Sequence, residues 1–204
     1  MRTAVLISGR GSNMSALLAA MAGPGFPARP VLVLSNRADA PGLGLAGGVP
    51  TAVVPSRGCA REAFEAELDA RLREAGVELI ALAGFMRVLT AGFVRAWQGR
   101  MINIHPSLLP AFPGLDTHAR ALAAGVRLHG CTVHWVSPDV DQGAVIAQSA
   151  VPVLPQDDAA SLGARVLARE HALYPAALRL VAARAGPAAT LPAATGHLDS
   201  LWLR

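Results

Sequence analysis

Five short apolar runs, rich in β-branched residues, are distributed over residues 3–104, and their spacing is what most limits the fold. They lie at 3–7, 31–34, 51–54, 79–83 and 101–104. Segments with helical periodicity separate them, at 13–21, roughly 39–46, 61–74 and 91–97. Because strands that alternate with helices usually pair in parallel, the sequence predicts an α/β fold: a mostly parallel twisted sheet with helices on both faces.

The pattern changes after residue 128. Two strand-like runs, at 129–136 and 144–153, are separated by only a short polar turn, which is typical of an antiparallel pair. Asp157 or Asp158 can then cap a last helix that runs to about Leu180, with a kink at Pro175. We therefore expect an antiparallel C-terminal strand pair and one domain over residues 1–204.

The charged residues exclude several classes of function. The chain contains no lysine, which excludes Schiff-base chemistry and a phosphate-loop lysine. The arginines are scattered, so the net charge of +4 favours anionic small-molecule substrates over nucleic acid. No apolar stretch reaches the roughly 20 residues of a membrane span, and no secretory signal is evident, so a cytoplasmic location is expected.

No metal site is predicted. Cys59 and Cys131 are far apart in the sequence and do not have metal-ligand spacing. His129 and His134 are five positions apart on a predicted strand, so their side chains should face opposite sides. Acid and thiol partners at ligand spacing are missing.

A glycine-rich loop, Ser8-Gly9-Arg10-Gly11-Ser12-Asn13, follows the first predicted strand and leads into a helix. Glycine allows backbone conformations closed to other residues, Ser12 or Asn13 can cap the helix, and the free N–H groups suit an anion. The third glycine of a dinucleotide fingerprint is replaced by Met14, and no acid ends the second strand. The loop therefore favours a phosphate monoester, with a plain strand-to-helix turn as the alternative.

Asn103 and His105 lie at the end of the fifth predicted strand, where open α/β sheets bind their ligands. Residues two apart on a strand point the same way, so the amide and the imidazole can share one small volume. A carboxylate in Asp139-Val140-Asp141 follows the next strand. These groups suit acyl transfer without a protein nucleophile, although a turn-capping Asn and a structural His remain the alternative.

Three segments closely resemble the phosphoribosylglycinamide formyltransferases, folate-dependent enzymes of purine synthesis. They are residues 8–13, Gly84-Phe85-Met86-Arg87 and residues 103–114, within a resemblance over about residues 3–180. The resemblance implies a Rossmann-like formyltransferase fold. Residues 1–100 would form a phosphate- and nucleotide-binding half, residues 101–185 a catalytic and folate-binding half, and residues 186–204 a tail.

The same resemblance implies formyl transfer from the cosubstrate 10-formyltetrahydrofolate to glycinamide ribonucleotide, directly and through a tetrahedral intermediate. Asn103 and His105 would donate hydrogen bonds to the oxyanion. Asp141, with Gly143 close behind it as in the family pattern, is preferred to Asp139 as the carboxylate that supports His105 and proton transfer.

Binding residues are implied in the same way. The phosphate would be held by Gly11, Ser12 and Asn13, and the ribose or amine end of the ribonucleotide by Glu170. Leu167 and Ala111 depart from the family pattern at positions near the ribonucleotide. The folate would contact Arg61, Met86, Arg87, Val88, Leu89, Val136 and Asp141.

Related activities stay open. A 10-formyltetrahydrofolate deformylase resembles the catalytic segment but is expected to carry an extra N-terminal domain, whereas the phosphate loop here starts at residue 8. A formyltransferase acting on methionyl-tRNA is expected to carry a further C-terminal domain. A non-catalytic folate-binding relative is a third alternative. The protein is expected to be a monomer or a homodimer.

Overall fold

The computed structural model of the protein describes residues 1–184, so the predicted tail at 186–204 lies outside the described residues. The strands are β1 (Arg2–Ile7), β2 (Arg29–Ser35), β3 (Thr51–Val53), β4 (Leu79–Leu82), β5 (Met101–His105), β6 (Leu128–Trp135) and β7 (Val145–Pro152). The helices are α1 (Ser12–Met21), α2 (Arg61–Glu74), α3 (Ala91–Ala96), α4 (Thr117–Ala123) and α5 (Ala159–Ala183). A 3-10 turn, Pro41–Leu45, precedes β3.

The seven strands form one sheet in the order β3-β2-β1-β4-β5-β6-β7. Strands β1 to β5 pair in parallel, whereas β6 is antiparallel to both β5 and β7. This confirms the predicted mixed sheet with its antiparallel C-terminal pair. The strand order reverses between β1 and β4, which is where open α/β sheets form a ligand crevice at their carboxyl edge.

Apolar side chains cover both faces of the sheet, as the alternating pattern predicts. On β1, Val5 and Ile7 pack into one buried cluster with Leu17 of α1 and Leu173 of α5. Ala4 and Leu6, which alternate with them along the strand, pack into the opposite cluster with helices α2 and α3. This two-sided burial explains why β1 is apolar from Ala4 to Ile7 and leaves the carboxyl edge of the sheet for polar loops.

The start of α5 agrees with the sequence prediction. The Asp158 carboxylate accepts a hydrogen bond from the Ser161 N–H at 2.7 Å, and the Ser161 hydroxyl accepts one from the Asp158 N–H at 3.1 Å. Both groups would otherwise be unpaired at the helix start. Asp157, the other candidate cap, instead binds Arg165 through both carboxylate oxygens. The helix continues through Pro175 to Ala183.

Two local predictions were wrong, and one helix was not predicted. Neither Ser12 nor Asn13 caps α1, because the cap position is Gly11, which has a positive φ of 76° and no side chain that could accept a hydrogen bond. The predicted helix at 39–46 is a 3-10 turn, in which Pro41 and its neighbouring glycines disfavour a regular α-helix. Helix α4 was not predicted, because it is short and follows a segment rich in proline and glycine.

Candidate active site

Strand β5 brings Asn103 and His105 to the carboxyl edge of the sheet. Both side chains project from the same face of a strand that lies between the parallel β4 and the antiparallel β6. The ring of His105 is almost buried, with 5% of the residue exposed. Its Nδ1 lies 3.3 Å from an oxygen of Asp141, and its Nε2 lies 3.0 Å from the Phe112 carbonyl oxygen.

The two acceptors around His105 determine how many N–H groups the ring needs in order to bond to both. A carbonyl oxygen and a carboxylate oxygen can only accept hydrogen bonds, so a neutral ring, which carries one N–H, can donate to only one of them. The doubly protonated ring can donate to both. A ring with N–H groups at both nitrogens is therefore the form that satisfies both acceptors.

Asp141 is held by the backbone as well as by histidine. Its Oδ2 accepts a hydrogen bond from the Gly114 N–H at 2.8 Å, and its side chain is 9% exposed. Its φ of 58° lies in the left-handed region, where Asp is tolerated better than most residues. Asp139, the rival acid, is exposed. The structure thus brings together Asn103, His105 and Asp141, which the sequence analysis had selected.

His134 is a fourth member of this group, and the sequence analysis missed it. It lies opposite Asn103 in the antiparallel β5–β6 register. Its Nδ1 is 2.9 Å from the Trp135 carbonyl, so Nδ1 carries the proton, and Nε2 accepts from the Asn103 amide at 3.2 Å. Burial lowers the pKa of His134, which keeps this ring neutral. His134 therefore fixes which end of the Asn103 amide faces it.

Buried hydroxyl and amide groups anchor the loop that follows β5. The Thr132 hydroxyl donates to the Ser107 carbonyl at 2.6 Å and accepts from the Leu109 N–H at 3.0 Å. The side-chain amide of Gln148 donates to the Leu109 carbonyl at 2.8 Å. These bonds connect the loop to β6 and β7, and so hold the Phe112 carbonyl near His105.

The glycine-rich loop, residues 8–13, is expected to bind a phosphate and is called the phosphate loop from here on. It is braced by the 3-10 turn, since the Gly42 N–H donates to the Gly9 carbonyl at 3.0 Å. The two backbones approach so closely that a Cβ on Gly11 would lie 2.8 Å from the Gly42 Cα. Glycine is therefore required at Gly11 by its conformation and by its surroundings.

Asn13 of the phosphate loop contacts Glu170 of α5, another residue selected from the sequence. The Asn13 amide donates to the Glu170 carboxylate at 2.6 Å. Glu170 is buried, and this burial raises its pKa. The Asn13 Oδ1 atom is buried without a hydrogen-bond partner among the described residues, so it is free to accept from a ligand.

A cleft of about 790 Å³ lies beside the phosphate loop. The phosphate loop forms one wall, and α5 forms another with Gly163, Leu167 and Glu170. Pro106, directly after β5, and Met86 also line it. The cleft therefore extends from the phosphate loop towards the segment that follows the strand carrying Asn103 and His105.

Residues 84–89, which are expected to contact the folate and are called the folate segment from here on, follow β4. Met86 and Val88 are exposed, whereas Leu89 is buried in the cluster that Phe85 and Val136 also join. The guanidinium of Arg87 lies 5.9 Å from the centre of the Phe64 ring. Arg61 is an exposed first residue of α2, and the structure gives it no polar contact with the folate segment. Most of the other residues expected to contact the folate lie within the folate segment, whereas Arg61 lies outside it.

Two histidines next to the site pair with each other. His118 Nδ1 lies 3.1 Å from His129 Nε2, and the two rings meet edge to face. Burial lowers the pKa of His129 to about 4 and also lowers the pKa of His118.

Within residues 1–184, no cluster of three or more histidine, cysteine or acidic side chains is arranged to hold a metal ion. No helix in that range is long and apolar enough to cross a membrane.

The sequence and the fold both match known proteins. The formyl transferase family model matches residues 1–178. Phosphoribosylglycinamide formyltransferase from Escherichia coli is 43% identical over 178 residues, which cover 86% of this chain and 84% of that protein. The trifunctional purine biosynthetic protein adenosine-3 of Drosophila melanogaster is 51% identical over 185 residues, or 88% of this chain. This chain spans only 14% of that longer protein.

Solved structures of similar proteins have the same fold. The crystal structure of phosphoribosylglycinamide formyltransferase from Brucella melitensis has a TM-score of 0.86 and 50% sequence identity, and covers 89% of this chain and 95% of its own. Glycinamide ribonucleotide transformylase 1 from Symbiobacterium toebii has a TM-score of 0.87 and 46% identity, and covers 90% and 88%.

Proposed function

The chain belongs to the formyl transferase family, and on that premise we propose that it transfers the formyl group of 10-formyltetrahydrofolate to the amine of glycinamide ribonucleotide. The products are N-formylglycinamide ribonucleotide and tetrahydrofolate, in de novo purine biosynthesis. The names of the relatives with 43% to 51% identity support phosphoribosylglycinamide as the formyl acceptor and purine biosynthesis as the setting. The formyl donor is inferred from the resemblance to the folate-dependent formyltransferases.

The convergence of Asn103, His105 and Asp141 beside the cleft carries the proposal. Their side chains supply an amide donor, an imidazole and a carboxylate: His105 Nδ1 lies 3.3 Å from Asp141, and His134 lies between the other two, 3.2 Å from the Asn103 amide and 3.7 Å from Asp141. Formyl transfer requires such groups, because charge develops on the formyl oxygen and a proton must leave the attacking amine.

In the proposed reaction, the substrate amine attacks the formyl carbon, a C–N bond forms and the formyl oxygen becomes an oxyanion. Protonated His105 donates a hydrogen bond to that oxygen through Nε2, and the oxyanion takes the place of the Phe112 carbonyl as acceptor. Such a donor typically stabilises the transition state by about 3 kcal/mol. Asp141 stabilises the imidazolium and holds its ring in place.

Asn103 is the second proposed donor. One amide N–H is bound to His134 Nε2, which leaves the other N–H of the same nitrogen for the oxyanion. When the intermediate collapses, the bond between the formyl carbon and the folate nitrogen breaks. Asp141 relays the proton from the attacking amine towards that nitrogen through water. No covalent enzyme intermediate is needed.

The binding roles follow the two walls of the cleft. We propose that Gly11, Ser12 and Asn13 bind the phosphate at the start of α1, where backbone N–H groups favour an anion. Glu170 contacts the ribose or amine end, and Asn13 orients its carboxylate. The folate contacts Arg61 through its glutamate tail, and its pterin contacts Val136, Asp141 and the folate segment, including Met86, Arg87, Val88 and Leu89.

The division into a nucleotide-binding half (residues 1–100) and a catalytic, folate-binding half (101–185) remains part of this proposal. So does a cytoplasmic monomer or homodimer that needs no metal, nucleic acid or membrane.

Tetrahydrofolate release, followed spectroscopically with 10-formyltetrahydrofolate, tests the proposal. We expect release to require glycinamide ribonucleotide. Equal release without the ribonucleotide would identify water as the acceptor and the protein as a 10-formyltetrahydrofolate deformylase. Release with a different amine, but not with the ribonucleotide, would point to another folate-dependent formyltransferase.

A further inference from the structure

A buried polar cluster lies where β1 and β2 end, and the proposed chemistry does not use it. Ser8 and Asn36 are 5% and 8% exposed. The Ser8 hydroxyl donates to the Asn36 side-chain carbonyl at 2.6 Å. The Asn36 amide donates to the Ser56 hydroxyl at 2.9 Å, and the Ser56 N–H donates to the Asn36 backbone carbonyl at 3.2 Å.

Ser8 also bonds to the folate segment. The Met86 N–H donates to the Ser8 hydroxyl oxygen at 2.7 Å, and the Ser8 N–H donates to the Gly84 carbonyl at 3.1 Å. Ser8 is the first residue of the phosphate loop. One buried residue therefore connects the loop expected to hold the phosphate with the segment expected to hold the folate.

Asn36 determines how Ser8 makes this connection. A side-chain carbonyl only accepts, so the single hydroxyl hydrogen of Ser8 must point at Asn36. The lone pairs of the Ser8 oxygen are then free to accept from the Met86 N–H. Cooperative polarisation along such a chain strengthens each bond. Without Asn36, the hydroxyl of Ser8 could rotate and lose this fixed orientation.

We propose that Ser8 and Asn36 are positioning residues for the folate, which they serve through the backbone of the folate segment. The inference rests on the proposed function, in which the folate segment contacts the pterin. Misplacement of a bound reactant by about 1 Å can cost a large factor in rate. The Ser8 hydroxyl holds the folate segment at a set distance from the phosphate loop, and so aligns the formyl donor with the amine.

The variant Ser8→Ala tests this role, because it keeps the backbone bond to Gly84 and removes only the hydroxyl. We expect the KM for 10-formyltetrahydrofolate to rise about tenfold, as for loss of one buried hydrogen bond. The KM for glycinamide ribonucleotide should change little. Hydrogen exchange of the Met86 amide, measured in the ligand-free protein, should become faster. Asn36→Ala should act in the same direction.

Two variants serve as controls. Ser8→Thr keeps a hydroxyl at the same position and should restore slow Met86 exchange and the low folate KM. Ser161→Ala removes the hydroxyl that accepts from the Asp158 N–H in the capping box of α5, which should cost about 1 kcal/mol of stability without touching the folate segment. It should lower the melting temperature and leave the folate KM unchanged.

An unchanged folate KM in Ser8→Ala, despite faster exchange at Met86, would overturn the inference. So would a parallel rise in both KM values that Ser161→Ala reproduces, since this would reflect stability alone. Unchanged exchange at Met86 would show that the Ser8 bond does not hold the segment. Failure of the wild-type protein to release tetrahydrofolate would instead count against the proposed function, and the exchange experiment would still decide whether Ser8 holds Met86.

Discussion

The phosphate loop and the proposed catalytic cluster lie at the same edge of the sheet, but they are built from different chemical groups. The catalytic cluster is made up of Asn103, His105, His134 and Asp141. The phosphate loop depends on backbone shape: Gly11 has a positive φ and touches Gly42. The catalytic cluster depends on side chains, which surround His105 with Asp141, Asn103 and their partners. An added Cβ should disrupt the phosphate loop, whereas loss of a charged group should disrupt the catalytic cluster.

This difference follows from the charges that each region is proposed to handle. A phosphate keeps its charge throughout the reaction, so fixed backbone dipoles are sufficient to bind it. The formyl oxygen gains charge and a proton moves, so the catalytic cluster needs groups that can change protonation state. Substitutions that preserve size but change charge, or preserve charge but add size, should separate the two regions.

The largest effect is expected from Asp141→Asn. Asn preserves the size and tolerates the left-handed backbone, but it removes the charge that stabilises protonated His105. We expect kcat to fall about 10³-fold, within the range for general acid–base groups. Steady-state kinetics and thermal unfolding would measure this. Asp139→Asn, an exposed neighbour, is the matched control and should retain its turnover. Near-normal turnover of Asp141→Asn would refute the assigned role.

The next effect is expected from Gly11→Ala in the phosphate loop. The new Cβ would meet the Gly42 Cα at 2.8 Å in a left-handed conformation, which should cost about 3 kcal/mol of folding stability. The KM for glycinamide ribonucleotide should rise while the folate KM changes less. Ser12→Ala is the contrast, because it leaves the backbone N–H in place and should have a small effect. A larger loss in Ser12→Ala than in Gly11→Ala would contradict a backbone-based loop.

A pH effect should arise on the catalytic side, from His129. Its pKa of about 4 when folded lies below the ordinary 6.5, so the unfolded chain binds a proton between these values and the folded protein does not. Stability is therefore full above pH 6.5 and falls as the pH drops towards 4, by roughly 2 kcal/mol at pH 4.5. Urea unfolding at pH 7 and pH 4.5 would measure the loss. It should be smaller in His129→Gln, and an equal loss in both proteins would exclude His129 as the source.

The smallest effect is expected from Arg10→Gln, which tests whether the phosphate loop uses any side-chain charge. Arg10 lines the cleft, is exposed and makes no hydrogen bond or ion pair with another described residue. Arg37 also lines the cleft, but Asp39 binds it at 3.0 and 2.8 Å. We expect Arg10→Gln to raise the ribonucleotide KM about tenfold, as for one charge-assisted contact. Arg37→Gln should raise the ribonucleotide KM less. Equal increases in the two variants would indicate a general attraction by positive charge and not a specific contact of Arg10.

Much of the fold could be predicted from local sequence. The β1 run at residues 3–7, the boundaries of α2 and the Asp158 cap depend on side chains within a few positions of each other. The sequence also predicted that the side chains of Asn103 and His105 lie on the same face of one strand, because alternate residues of a strand share a face. Helix α4 was missed, since its short sequence has no side-chain cap and follows an irregular segment.

Other parts of the candidate site depend on pairing between distant residues. His134 meets Asn103 only because β6 runs antiparallel to β5 in one register. Ser8 meets Met86, and Gly11 meets Gly42, only after β1 has paired with its neighbours and the 3-10 turn has packed on the phosphate loop. No local pattern specifies these contacts.

The sequence by itself determined the alternation of strands and helices, the glycines of the phosphate loop and the identity of Asn103, His105 and Asp141. Only the tertiary structure decided which ring nitrogen of His134 carries the proton, which oxygen of Asp141 faces His105, and how Ser8 connects the phosphate loop to the folate segment. Periodicity and capping depend on residues that are close together along the chain, so they can be recognised in short segments of the sequence. Hydrogen-bond direction in a buried site depends on every group around it, and strand register brings those groups together from distant parts of the chain.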